Sequence, residues 1–356
     1  MRKIKLLFFS ILLISANLFA QSDEFFTPGS SIGGYGELHY NYSKVDGEDA
    51  KKTLDFHRFV MFFSHAWSEK WSFKAELELE HNFVQGEDKG ELELEQAFVD
   101  YHYSNAIGFR AGVVLVSAGL INEYHEPPTF LGVERPDYNK YIIPTTWFGN
   151  GAQFYGSYKG FDYLFGVMEG LNADKFSAKS GIRSGRLKGY KANAENLLYN
   201  LRVDYTGIQG LKVGCSYIYN DATGTDMTNA INMFEVHAKY EAHNLILVGE
   251  FGNISYDKGD VETSRGFYFD LGYNVADIMK VDWDVIPFVR YSDFNTAAAT
   301  ITGGDSEEAY HKTKIMCGLS VKPVDQVVFK LDYAVNTVEK NDVDTKLFNI
   351  GVGYMF

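Results

Sequence analysis

The chain is short of cysteine, proline, basic charge and long apolar runs. Its 356 residues include two cysteines, too few for a disulfide framework or a structural zinc site. Seven prolines exclude a proline-rich, low-complexity chain. Lys and Arg number 33 against 47 Asp and Glu, so the net charge is −14. That balance excludes the basic footprint of a nucleic-acid binder. Past the N-terminus no segment approaches the roughly 20 consecutive apolar residues of a spanning helix, which excludes a helical membrane bundle. What is abundant is Phe (28), Tyr (24) and Gly (34), the composition of an all-β chain that meets lipid headgroups.

Arg2, Lys3 and Lys5 precede an apolar stretch from Leu6 to Leu18, and the small residue Ala20 precedes Gln21. This is the pattern of a secretory signal peptide over residues 1–20. An anchor helix would need a longer run and no cleavage site. No cysteine follows the cut, so a lipoprotein is not expected. The remainder, 21–356, reads as a single domain with neither an internal repeat beyond the strand period nor a separate plug.

Period-2 alternation recurs to the last residue. Phe73, Ala75, Leu77 and Leu79 alternate with Lys74, Glu76, Glu78 and Glu80; Phe348, Ile350, Val352, Tyr354 and Phe356 alternate with polar or small residues. About sixteen such segments can be traced between 32 and 356, most near the length of a tilted spanning strand with its overhang. Connections after even-numbered strands are short, as at Asn105-Ala106, Gly160 and Pro323-Val324. Connections after odd-numbered strands are long and polar, the longest being 119–147 and 173–196. Such asymmetry is expected of a transmembrane antiparallel β-barrel in the outer membrane of a Gram-negative bacterium, and not of a soluble sandwich. Cys215 and Cys317 fall on outward faces of distant strands, so they should be unbonded.

A Lys or Arg facing lipid near the midplane costs roughly 2–4 kcal/mol, so strand charges should face the lumen. That rule selects Glu37, His39, Arg58, Glu76, Glu78, Glu80, Arg110, Arg202, Lys212, Arg290, Lys312, Lys314 and Lys330 as pore-lining residues, with Glu235, His237 and Lys239 beside them. Taken in order, an acidic arc is followed by mainly basic arcs. Facing arcs would set a field across a pore; the plainer account is that inward charge only keeps a lumen wet. Two strands resist the rule. In the second, the cost argument turns Arg58 inward and puts Asp55 and His57 above the lipid. In the fourth, Glu91, Glu93 and Glu95 share a face with Ala97 and Val99. Either a bulge near Gln96 flips the phase, or these glutamates stand above the bilayer.

Segment 119–147 carries Glu123, His125, Glu126, Glu134, Arg135 and Lys140 together with Phe130, Val133, Ile142, Ile143 and Trp147. Four prolines stiffen it. A long irregular segment with apolar residues to bury is usually functional, so it is expected to fold into the lumen as a constriction. Glu134 and Arg135 would tie it to the wall and Glu126 would stand at the opening. Glu123, His125 and Glu126 could ligate a metal, but ion pairs with lumen arginines explain them as well, and neither metal nor cofactor is expected.

The strings Asn122-Glu123, His125-Glu126-Pro127-Pro128-Thr129-Phe130, Gly132-Val133-Glu134-Arg135-Pro136 and Ile142-Ile143-Pro144-Thr145-Thr146-Trp147 resemble the phosphate-selective porin O and P family, particularly its Bacteroidetes-like members. Pro287-Phe288-Val289-Arg290-Tyr291 and the terminal Phe356 match as well. The resemblance implies a sixteen-stranded porin, with a homotrimer as the assembly it allows. Anion-selective members line the pore with an arginine ladder and a lysine cluster, whereas here basic residues are scattered beside an acidic arc. The expected function is therefore passive diffusion of small hydrophilic solutes and ions, with an anion or phosphate channel as the alternative. Expected partners are outer-membrane lipid and lipopolysaccharide, the barrel-assembly machinery and the solutes, and no nucleic acid. A barrel enzyme would need a nucleophile–base pair, and the histidines scatter over many strands. An adhesive barrel would not need a long apolar loop.

Overall fold

The computed structural model describes residues 27–84, 90–302 and 306–356; the expected signal peptide lies outside them. Sixteen strands follow in order: β1 Gly29–Val45, β2 Lys51–Ala66, β3 Trp71–Glu80, β4 Leu92–Ser104, β5 Ile107–Leu115, β6 Phe148–Tyr158, β7 Phe161–Met168 and β8 Leu198–Ile208. They continue as β9 Leu211–Thr223, β10 Thr228–Ala242, β11 Leu245–Tyr256, β12 Val261–Tyr273, β13 Asp284–Thr300, β14 His311–Val324, β15 Val327–Val338 and β16 Val343–Met355. Each pairs antiparallel with its chain neighbours, and β1 also pairs with β16, so the sheet closes into a barrel. Gly34 N–H donates to the Phe356 carbonyl at 3.0 Å and Phe356 N–H returns the bond to Gly34 at 2.9 Å. Closure leaves the barrel no open edge, which a bilayer would not tolerate.

The two faces of the wall invert the rule for soluble proteins. In β8, Asn200, Arg202 and Asp204 are buried while Tyr199, Leu201 and Val203 are exposed. In β15, Lys330 and Asp332 are buried while Phe329, Leu331 and Tyr333 are exposed. Apolar side chains thus face outward to lipid and polar ones inward. Trp67, Trp71 and Trp283 are exposed at the β2–β3 and β12–β13 connections, on one end of the barrel, where an interfacial aromatic girdle belongs. Cys215 and Cys317 are free and exposed, as expected.

The longest connections, after β5 and β7, follow odd strands, and even strands are followed by tight turns except β12, whose connection to β13 runs over 274–283. The hairpins β1–β2 and β9–β10 nevertheless have shorter loops than expected, because their strands continue past the apolar band on polar residues such as Lys51 and Asn229. Both strands that resist the inward-charge rule carry a bulge. In β2 the pairing steps from Glu37 with Arg58 to Leu38 with Phe56, leaving His57 out of register. Asp55 then pairs with His39, and the His57 ring stacks on His39 with centroids 4.7 Å apart. Asp55 and His57 therefore share the lumen face with His39 rather than sitting above the lipid; one unpaired residue shifts the alternation, so Arg58 also stays inward. In β4 the pairing steps from Glu76 with Gln96 to Leu77 with Leu94, leaving Glu95 unpaired and fully buried. The bulge is the correct one of the two readings for this strand.

Candidate functional site

Between β5 and β6 the chain leaves the wall. Val116 N–H still reaches the Trp147 carbonyl at 2.8 Å, and Asn122 bridges both arms: its Nδ2 donates to the Val116 and Trp147 carbonyls and its Oδ1 accepts from Trp147 N–H. Between those points lie a turn of 3₁₀-helix at Pro127–Thr129 and a single α-helical turn at Tyr138–Tyr141. Leu120, Ile121, Phe130, Leu131, Val133, Tyr138, Ile142, Ile143 and Trp147 are all buried.

Wall side chains hold this segment from many strands. Ser117 exchanges two hydrogen bonds with the Asn200 amide of β8. Gly119 N–H donates to Glu235 of β10 at 3.2 Å, and Leu120 N–H to Glu250 of β11 at 3.1 Å. Ser320 of β14 donates to the Leu131 carbonyl, and Lys330 of β15 to that of Gly132 at 2.7 Å. Val133 N–H donates to Asp332 at 2.7 Å. On β1, Glu134 accepts from Asn41 at 2.9 Å and lies 3.0 Å from His39 Nδ1. Two β16 glycines make the room: a Cβ on Gly353 would stand 2.3 Å from Pro127, and one on Gly351 would stand 2.9 Å from Val133.

The wall cations are occupied as well. Arg110 lies 3.8 Å from Glu123 and donates to Gln153. Arg202 binds Glu123 at 3.2 Å, Asp204, and the Gly119 carbonyl at 2.6 Å. Lys212 binds Asp204 at 3.0 Å and sits over the Tyr124 ring. Arg290 makes a two-pronged pair with Asp270 at 2.6 and 2.7 Å. Lys314 contacts Asp137, Lys312 lies over Tyr141, and Lys330 over Phe130. Arg58 faces Glu37 at 2.7 Å, with Glu78 and Glu80 at 3.8 and 3.7 Å. The expected basic arcs are thus not bare. Each buried cation is matched by an acid or a carbonyl, because an unpaired charge there would carry a large desolvation cost.

Within the segment, Glu134 is tied to the wall as expected. Burial opposes its charge, but the hydrogen bonds from His39 and Asn41 hold its carboxyl well below the ordinary range. Arg135 departs from expectation: among the described residues it has no wall carboxylate within ion-pair distance, and it donates within the segment to the His125 carbonyl at 3.2 Å. Glu126 is buried, and that burial pushes its carboxyl up. Lys140 is exposed, its ammonium over Tyr141. Sequence reasoning missed Asp204, Glu250, Asp270 and Asp332, and also the ties made by the second long segment, 173–196, whose Arg186 donates to the Thr145 and Thr146 carbonyls and whose Lys188 joins Glu91 and Glu93. It also overlooked that Gly29-Ser30-Ser31-Ile32-Gly33 spells G-x-S-x-G. Ser31 lies in the regular β1 ladder, its hydroxyl 2.6 Å from that of Ser64, and not on a strand-to-helix elbow.

The model of the phosphate-selective porin O and P family matches residues 32–244. The chain belongs to that family. A protein of Aquifex aeolicus (strain VF5), itself uncharacterised, is 31% identical over 352 residues, covering 92% of this chain and 80% of its own. Among solved structures, a Salmonella typhi OmpF complexed with daunomycin superposes with a TM-score of 0.64 at 14% identity, covering 92% of this chain and 97% of that one. An anion-selective porin from Comamonas acidovorans gives 0.60 at 12%, covering 93% and 100%. The trimer form of Vibrio cholerae OmpT gives 0.59 at 14%, covering 92% and 99%. These likenesses concern the fold; the family match adds the function. This member of the porin O and P family is an outer-membrane porin channel.

Proposed function

We propose that this porin passes small hydrophilic solutes and ions by passive diffusion, and that segment 119–147 folds into the lumen and sets the opening. The observation that carries the reading is the spread of its partners: β1, β8, β10, β11, β13, β14 and β15 all bond to it from their buried faces. A single segment reaches that many strands of a closed ring most directly from within. A sixteen-stranded barrel is too wide to sieve small solutes unaided. The test shortens the chain between Tyr124 and Lys140 and measures conductance and liposome swelling. Both conductance and the sugar size limit should rise; unchanged values in a folded deletion would place the constriction elsewhere.

The family's description favours a second reading, an anion or phosphate channel. Against it stand the pairings of Arg202 with Asp204 and of Arg290 with Asp270, which spend basic charge on wall and segment. A reversal potential in a salt gradient decides: near zero supports the general porin, and a strong anion preference supports the alternative. A trimer, the form stated for the Vibrio protein, is the assembly we propose for this chain, with chemical cross-linking in native membranes as its test. Residues 1–20 are proposed to be removed on export, which N-terminal sequencing of the mature protein checks.

A further inference from the structure

We propose that Glu76 of β3, Glu95 of β4 and His125 of segment 119–147 form a binding site for one divalent transition-metal ion of the Zn²⁺ type. One ligand atom from each lies within 4.8 Å of the others. His125 Nε2 is 3.5 Å from Glu76 Oε1 and 3.5 Å from Glu95 Oε2. These separations are too long for hydrogen bonds. They match ligands around a tetrahedral ion, since bonds of about 2.1 Å at the tetrahedral angle set neighbours about 3.4 Å apart.

The protonation of His125 follows from its other nitrogen. Nδ1 lies 3.1 Å from the Asn122 carbonyl, which can only accept, so Nδ1 carries the proton. In the neutral ring Nε2 then presents a lone pair to two carboxylates. That is the tautomer and the backbone support of a metal-bound histidine. Glu76 is oriented likewise, its second oxygen accepting from the Gln96 side chain.

The second, independent observation is that these groups lack partners. Glu95 is fully buried and both its oxygens are without a hydrogen bond; so are Glu76 Oε1 and His125 Nε2, each on a side chain more than nine-tenths buried. Glu78 and Glu126 add two more buried carboxylates, also incompletely bonded. Arg58, 3.8 Å from Glu78, and Arg135 are the cations facing the group. Buried acids in such excess need a further positive charge. Imidazole among the donors favours Zn²⁺ over Ca²⁺, which takes oxygen ligands. The β4 bulge acquires a purpose: without it Glu95 would point to lipid. Bound metal would clamp β3, β4 and the segment together, whether or not that segment narrows the pore.

The ligands are buried, so the full chain is refolded in detergent from metal-free denaturant with Zn²⁺, then gel-filtered, and its metal content is measured. Wild type should retain a tightly held ion and gain thermal stability with Zn²⁺ but not with Ca²⁺. Glu95→Gln should lose at least the about 10–100-fold in affinity that removal of a mere outer-shell partner costs. Glu93→Gln, which removes the same charge from the same strand beside Lys188, should keep the ion. Should Glu95→Gln fail to fold, wild type refolded with Co²⁺ should show the visible absorption of a tetrahedral site. No retained ion, equal retention by Glu95→Gln, equal stabilisation by Ca²⁺, or colourless Co²⁺ protein would each overturn the proposal, and the first would leave a protonated His125 as the counter-charge.

Discussion

Arg202→Met removes the most connected cation holding segment 119–147. Its guanidinium side chain is only 4% exposed and joins Glu123 at 3.2 Å, Asp204 at 3.0 Å and the Gly119 carbonyl at 2.6 Å, with His237 Nε2 at 3.4 Å. Breaking a buried pair by deleting one partner usually costs about 3–5 kcal/mol. Two acids would lose it, but neither would be stranded: Asp204 keeps Lys212 and His237, each at 3.0 Å, and Glu123 keeps Arg110 at 3.8 Å. The loss should therefore lie near the lower end, about 3 kcal/mol. The segment should stay docked, because bonds at Leu120, Leu131, Gly132, Val133 and Glu134 remain. Each is worth about 0.5–1.5 kcal/mol. Guanidinium unfolding in lipid vesicles, followed by tryptophan fluorescence, should show the loss while single-channel conductance stays at the wild-type value. A double-mutant cycle with Glu123→Gln should give a coupling of about 0.5–3 kcal/mol. A loss below about 1 kcal/mol, the range of exposed pairs, would refute the buried tie. A rise in conductance would refute the idea of many shared anchors.

Glu134 links stability to acid. Its carboxyl is depressed below the ordinary value of 4.5, so its contribution is complete above about pH 5 and is lost as pH falls toward its own pKa. Glu134→Gln should lower the melting temperature at pH 7, and the gap to wild type should narrow steadily as pH falls from 5 to 3 without closing; a constant gap across that range would contradict the assignment. Gly353→Val should cost about 1–3 kcal/mol by driving its side chain into Pro127, read from the same unfolding curves, and wild-type stability would show that the segment does not seat on β16. Deleting Phe356 removes the stack on Phe59 at 5.9 Å and the closing bonds to Gly34, so the outer-membrane fraction should fall; normal levels would deny that residue a part in insertion. In proteoliposomes a lipid-soluble maleimide should label Cys215 and Cys317 while a charged, water-soluble thiol reagent labels neither; the reverse would turn those faces away from lipid.

Strand number, order and closure were readable because one periodicity, apolar out and polar in, runs through every strand. Reading failed where a single residue breaks that period. His57 is such a residue; at Glu95 the reading stayed open between two alternatives, of which the bulge is the one found, because a bulge leaves no local mark beyond a charge in the lipid-facing phase. The missed acids are different. Asp204 stands two places from Arg202 and Asp332 two from Lys330, on the same inward faces, so the rule that admitted the cations admits them too. What could not be read was partnership. That Lys188 would reach Glu91 and Glu93, or Arg186 the carbonyls of Thr145 and Thr146, depends on loops meeting after the barrel has closed.

A hoop of sixteen strands resists stretching but not ovalisation: pressed from two sides, it flattens. Segment 119–147 is bonded to His39 and Asn41 on β1 and to Glu235 on β10, strands about half a circumference apart. Folded inward as proposed, it would act as a spoke. Lateral pressure from the bilayer or from a neighbouring subunit loads the segment directly, and any shift of the segment is felt as a change in the outline of the hoop. On the proposal that this segment sets the opening, aperture and outline become one mechanical variable, and bilayers that differ in thickness or tension should present solutes with slightly different doors.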